Sequence, residues 1–307
     1  MIPAISSPVK IPALLFLLLP IAITAAEPEA KPRGRLPYPP RFEGVREETY
    51  KEAGDTKLKL WIFEPAEKAA AGAKQPAIVF FFGGGWTSGS PAQFERQCRH
   101  LASRGMVAIT ADYRVSSRQA VKPAECVADA KSCIRWVRRN AGRLGIDPDR
   151  IAAGGGSAGG HLAAAVATLP GLDAPGEDTS VSAMPNALVL FNPALVMAPL
   201  EGLDLKGFAS RSSAERYGCE PEAISPVHHV HAGLPPTLIL HGRADTTVPI
   251  VTAEAFAKAM KKAGNRCELV AYDGQPHGFF NAARYDETLA EADRFLVSLG
   301  WLPPPAR

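Results

Sequence analysis

The sequence predicts an α/β fold, a mostly parallel central sheet with helices on both faces and a small lid region. Two patterns point to it. Short runs that are apolar throughout alternate with longer segments of 3.6-residue period, and a glycine-serine turn joins one such run directly to one such segment. Size permits it as well: 307 residues, 46% hydrophobic and 21% charged, suffice for one large core and not for two.

The elements follow in chain order. Residues 1–26 read as a signal peptide, with Lys10 as a weak positive start, an apolar run at 11–23 broken by Pro12 and Pro20, and Thr24-Ala25-Ala26 as the cleavage site. The run is shorter than the ~20 residues a spanning helix needs, so no membrane anchor is expected, and the protein is expected to be secreted or periplasmic. Residues 27–57 form a lead-in; across 27–42, Pro28, Pro32, Pro37, Pro39 and Pro40 favour an extended segment over a packed one. The catalytic domain spans 58–300. Strands are expected at 58–63, 77–82, 106–111, 150–154, 187–191, 237–240 and 267–272; several are apolar on both faces, as strands of a covered parallel sheet are. Helical faces are built from Val127, Ala130, Ile134, Val137 and Ala141, from Phe256, Met260 and Ala263 with Thr252 as N-cap, and from Leu289, Ala292, Leu296 and Leu299 before Gly300. Residues 194–225 lack a clear strand and suit a small lid; 301–307 are a tail.

Composition narrows the partners. Net charge is +3, and cleavage after residue 26 removes only Lys10 and leaves +2, which gives no reason to expect nucleic acid. Five cysteines are an odd set for an oxidising compartment; Cys126 and Cys133 share one helix about 10 Å apart, too far for a disulfide. No metal or cofactor is expected: Cys-x-x-Cys is missing, and His228-His229-Val230-His231 lacks the helical spacing of a zinc pair.

The chemistry centres on Gly155-Gly156-Ser157-Ala158-Gly159. The motif alone is weak, but a strand runs into it and a helix leaves it. Ser157 therefore sits on a tight turn at the carboxyl edge of the sheet, its hydroxyl exposed and the helix N-terminus beside it. A phosphate-binding turn would call for Gly-Lys-Ser/Thr, which does not follow. A serine needs a base, and the base an orienting acid. His277 and Asp245 both lie on loops just past strand ends on the same edge and can converge on Ser157. Asp273 is the rival acid and reads as a turn residue; His161 and His241 are rival bases and read as packed, structural groups. Phe82-Gly83-Gly84-Gly85-Trp86 follows another strand. Its backbone amides, with that of Ala158, suit an oxyanion: Gly84, Gly85 and Ala158 are the donors. Trp86, directly after them, is expected to bind substrate and shorten the acyl side.

These segments, with Asp112-Tyr113-Arg114, Ile146-Asp147-Pro148-Asp149-Arg150-Ile151, Phe191-Asn192-Pro193, Pro235-Pro236-Thr237 and His277-Gly278-Phe279, resemble the alpha/beta-hydrolase fold-3 group, which includes carboxylesterases and acetyl xylan esterases. The likeness covers about residues 58–300. It implies the α/β-hydrolase fold and ester hydrolysis through an acyl-enzyme, with Ser157, Asp245 and His277 as triad. The group usually carries histidine where this chain has Phe82, a change that removes a hydrogen bond steadying the glycine loop. The substrate expected is a small-molecule or polysaccharide ester of a short acyl group, acetyl first. A prolyl-oligopeptidase-type peptidase and a non-catalytic binding protein are the competing readings; the first lacks a propeller before residue 58, the second normally requires a lost triad member.

Overall fold

A computed structural model describes Met1 and residues 36–66, 73–203 and 212–304. The signal-peptide reading, most of the proline-rich segment and the middle of the lid fall outside the described residues. Those described beyond Met1 belong to one compact unit, Arg33–Arg307.

The elements run β1 (Arg46–Ala53), β2 (Thr56–Phe63), β3 (Gln75–Phe81), α1 (Glu95–Ser103), β4 (Val107–Ala111), α2 (Ser116–Gln119), α3 (Pro123–Arg139), β5 (Ile146–Gly156), α4 (Ala158–Thr168), β6 (Ala187–Phe191), α5 (Ala214–Tyr217), β7 (Thr237–Gly242), α6 (Ile250–Lys262), β8 (Cys267–Tyr272) and α7 (Tyr285–Ser298). One eight-stranded sheet carries them in the order β1-β2-β4-β3-β5-β6-β7-β8. Pairing is antiparallel from β1 to β2 and from β2 to β4, and parallel from there on. Along β3 the two-residue period is plain: Ala77, Val79 and Phe81 join the core on one face with α3 and α4, while Ile78 and Phe80 join the other with α1 and α7. Covered on both faces, the strand can be apolar throughout.

Topology places the site. From β3 the chain crosses to β4 on one side; from β5, the other neighbour of β3, it crosses to β6 on the opposite side. Adjacent strands whose connections diverge leave a crevice at their carboxyl ends, where open α/β sheets bind ligands. The glycine loop after β3 and Ser157 after β5 both open into that crevice.

Three expectations need correction. The lead-in holds β1 at 46–53, where no element is expected, and in its proline-rich part Tyr38 and Pro40 pack against the domain. The sequence hides β1 because it is an edge strand with Tyr50 as its one fully buried side chain, so no apolar run marks it. Thr252 does not cap α6; Pro249 holds that place, and the Thr252 hydroxyl donates to the Pro249 carbonyl at 2.8 Å from inside the first turn. Finally, β5 starts at Ile146, ahead of the expected 150.

All five cysteines are free thiols, Cys126 and Cys133 buried along α3. Among the described residues no helix is long and apolar enough to cross a membrane, and no group of three or more His, Cys, Asp or Glu is placed to hold a metal.

Candidate active site

Strand β5 delivers Ser157 at φ 54° and ψ −119°, a left-handed turn forced by the immediate start of α4. The turn closes only because its flanks are glycine. A Cβ on Gly155 would lie 2.4 Å from the Gly159 carbonyl, and one on Gly159 would lie 2.0 Å from the carbonyl oxygen of Phe81. The strand, the turn and the neighbouring β3 are in backbone contact. The Ser157 amide donates to the Phe191 carbonyl at 2.9 Å, which ties the turn to β6 as well.

His277 and Asp245 come together as expected. His277 Nδ1 lies 2.7 Å from Asp245 Oδ2, with the acid side chain fully buried and the imidazole a quarter exposed. The other carboxylate oxygen accepts the amides of Thr247 at 2.9 Å and Val248 at 2.8 Å. Burial pushes the Asp245 carboxyl up, but hydrogen bonds from His241, His277 and the Val248 amide outweigh it and hold the group well below the usual carboxylate range. Asp245 is therefore a fixed negative charge, and it requires the proton of neutral His277 to sit on Nδ1. That leaves Nε2 as the free acceptor.

The rivals fall where expected. Asp273 is exposed and pairs with Arg243 at 2.9 Å. His161 is buried, and its Nε2 donates to the Ile224 carbonyl at 2.8 Å; burial pulls its pKa down to about 4. His241, also buried, donates from Nε2 to the Val248 carbonyl at 2.8 Å and stands 3.4 Å from Asp245, bracing the acid's loop. His228, His229 and His231 bond chiefly to backbone carbonyls.

Ser157 and His277 line one cavity of about 330 Å³ together with Gly83, Gly84, Gly85, Gln93, Asn192, Thr247 and Phe280. Ala158 heads α4 directly behind the serine. A larger cavity of about 650 Å³ lies among Lys131, Arg135 and His228–His231, but Lys131 and Arg135 are engaged by Asp173, Glu177 and carbonyls, and among the described lining residues no serine–histidine–acid set accompanies them. Chemistry selects the smaller one.

Trp86 differs from expectation. Its indole is buried, edge-on to His161 at 5.1 Å and to Tyr217 at 6.5 Å, and it is not among the described residues lining the cavity. Its backbone is left-handed, φ 59°, and its indole joins the buried core cluster. Two neighbours escaped the sequence reading as site residues. Gln93 accepts the Gly83 amide on Oε1 at 2.6 Å, so that amide faces away from any substrate oxygen. Asn192 brings Nδ2 within 3.3 Å of His277 Nδ1 and accepts the Gly278 amide at 3.4 Å. No local pattern marks Gln93; Asn192 lay in plain view at the end of a strand.

Residues 78–281 match the family described as alpha/beta hydrolase fold. The chain belongs to that family. The native structure of esterase 2 from the planctomycete Thermogutta terrifontis is 54% identical, covers 89% of this chain and 99% of its own, and superposes with a TM-score of 0.83. The propionate-bound form of that esterase is 55% identical over 88% of this chain and 100% of its own, with a TM-score of 0.82. Esterase LipQ of Mycobacterium tuberculosis is 34% identical over 231 residues, 70% of this chain and 52% of its own. The chain thus spans about half the length of the curated relatives it matches.

Within this alpha/beta-hydrolase fold, Phe82 replaces the expected histidine with stacking. Its ring lies 4.1 Å from that of Tyr113, nearly parallel, and the Tyr113 hydroxyl donates to the Phe82 carbonyl at 2.7 Å. A hydrogen bond still reaches the root of the glycine loop, supplied by a neighbour.

Proposed function

We propose that this protein hydrolyses carboxylic esters of short acyl groups through a covalent acyl-enzyme on Ser157. The observation that carries the reading is the 2.7 Å contact of His277 Nδ1 with buried Asp245, in a cavity whose wall includes Ser157 on its strained turn. His277 Nε2 takes the Ser157 proton as Oγ attacks the carbonyl carbon. The tetrahedral oxyanion is held by the amides of Gly84, Gly85 and Ala158. His277 then gives its proton to the leaving alcohol, and water releases the acid by the same steps in reverse.

Two facts support a short acyl group. The cavity holds about 330 Å³, and the bulky Phe280 ring forms part of its wall, close against Gly156, where a Cβ would stand 2.6 Å from it. The similar Thermogutta esterase has been obtained with propionate bound. The alcohol proposed is a small aryl or alkyl group or the sugar chain of an acetylated polysaccharide. Residues 1–26 support export, which would bring the protein to such extracellular esters.

A series of 4-nitrophenyl esters from acetyl to decanoyl, with acetylated xylan alongside, tests this. Turnover should peak between acetyl and butyryl and fall steeply by octanoyl. Each extra methylene would contribute about 0.8 kcal/mol where an apolar pocket accepts it, so a rise toward decanoyl would overturn the short-acyl reading.

A further inference from the structure

We infer that Tyr38 and Arg118 are positioning residues for this reaction: the segment at 36–40 acts as a strap that, through Arg118, holds the glycine loop with its amides aimed at the oxyanion. The inference rests on the function proposed above.

Three segments distant in sequence meet behind the loop. The Tyr38 hydroxyl donates to Asp112 Oδ2 at 2.6 Å, and the guanidinium carbon of Arg118 lies 3.6 Å over the Tyr38 ring. From there Arg118 Nη1 donates to the Gly89 carbonyl at 2.9 Å, and Nη2 stands 3.6 Å from Asp112 Oδ1. Gly89 lies flat on the root of the loop, where a Cβ would be 2.4 Å from the Gly83 carbonyl and 2.5 Å from the Phe82 ring. The strap is fastened a second time by Ser90, whose hydroxyl donates to the Pro37 carbonyl at 2.5 Å. The other end of the loop is held by the helix that carries Arg118, α2: amides of Ser116 and Ser117 donate to the carbonyls of Trp86 and Thr87 at 3.0 and 3.1 Å. Nothing else described grips the Gly89 carbonyl. Gly84 and Gly85 therefore lie between two anchors, both organised around α2, and Tyr38 is the lid on one of them.

The charge at Asp112 supports the same arrangement. Burial pushes its carboxyl up to about 6, against the Tyr38 hydroxyl and the Arg118 charge, which pull it down. Without them more of it would be neutral near pH 7, and the attraction that seats Arg118 would weaken.

Amides that stabilise an oxyanion must be held within about half an ångström, so loosening an anchor reaches the transition state before it reaches substrate binding. Tyr38 is 40% exposed, so its replacement leaves the core intact. With 4-nitrophenyl propionate, Tyr38→Ala and Arg118→Met should each lower kcat about tenfold with KM within about twofold, less than the loss of an oxyanion donor outright. Affinity for propylboronic acid, whose tetrahedral adduct places an oxygen among the loop amides, should fall by the same factor as kcat. Tyr38→Phe keeps the ring over Arg118 and should recover most of the loss. If Tyr38→Ala and Arg118→Met lower Tm while kcat and boronate affinity stay at wild-type values, the strap is structural only and the inference fails. Wild type that turns over no ester and binds no boronate would instead overturn the proposed function, and the strap with it.

Discussion

Ser157 and the glycine loop face each other across one crevice, yet they are held by different means. At Ser157 backbone lies on backbone: the Gly159 position touches the Phe81 carbonyl, and the serine amide reaches β6. The loop is mixed: a Cβ on Gly84 would stand 2.0 Å from the Ser88 carbonyl, but nothing lies within 4 Å of one on Gly85, and side chains from afar, Gln93, Tyr113 and Arg118, add to the hold. The turn proposed to carry the nucleophile is walled by backbone, whereas at Gly85, a proposed oxyanion donor, aim is left to hydrogen bonds on its neighbours. The two halves should therefore fail in different ways when altered.

A large effect is expected at the acid that orients the base serving Ser157. Asp245→Asn leaves the shape of its loop but favours the wrong tautomer of His277, and kcat should drop by about 10⁴-fold. Asp273→Asn, at an exposed acid paired with Arg243, should leave kcat within about twofold. Steady-state kinetics of the two variants side by side check the choice of acid; a greater loss in Asp273→Asn would reverse it.

A pair of glycine substitutions then sets the halves against each other. Gly159→Ala drives a methyl into backbone and should cost about 3 kcal/mol or more of stability, read as a falling denaturant midpoint. Gly85→Ala meets no neighbour and bears only its left-handed φ of 64°, about 1 kcal/mol, while kcat falls at least tenfold because the amide is re-aimed. Equal stability losses would erase the distinction.

The same distinction explains what the sequence discloses. The turn at Ser157 is legible because close backbone contact demands glycine at fixed offsets, and a strand and a helix flank it. Asp245 and His277 follow from strand ends on the same edge. Support of the loop is not legible. Gln93, Tyr38 and Arg118 belong to no pattern, and only the folded sheet brings residue 38 to residue 118. Trp86 is hard to read for the same reason: adjacency in sequence to the proposed oxyanion glycines suggests contact with substrate, but the indole is buried in the core. Strand β1 was hidden by its polar outward face, although it closes one edge of the sheet.

The identity of the nucleophile underlies all of this, and one measurement tests it most directly. Wild-type protein and Ser157→Ala are each treated with paraoxon, digested and analysed by peptide mass spectrometry beside an esterase assay. Wild type should lose activity as it gains a single diethylphosphoryl group on Ser157, and Ser157→Ala should gain none and turn over ester about 10⁴–10⁶-fold more slowly. Label on another residue with activity lost in step, or an alanine variant that still hydrolyses ester at near wild-type rate, would contradict the account.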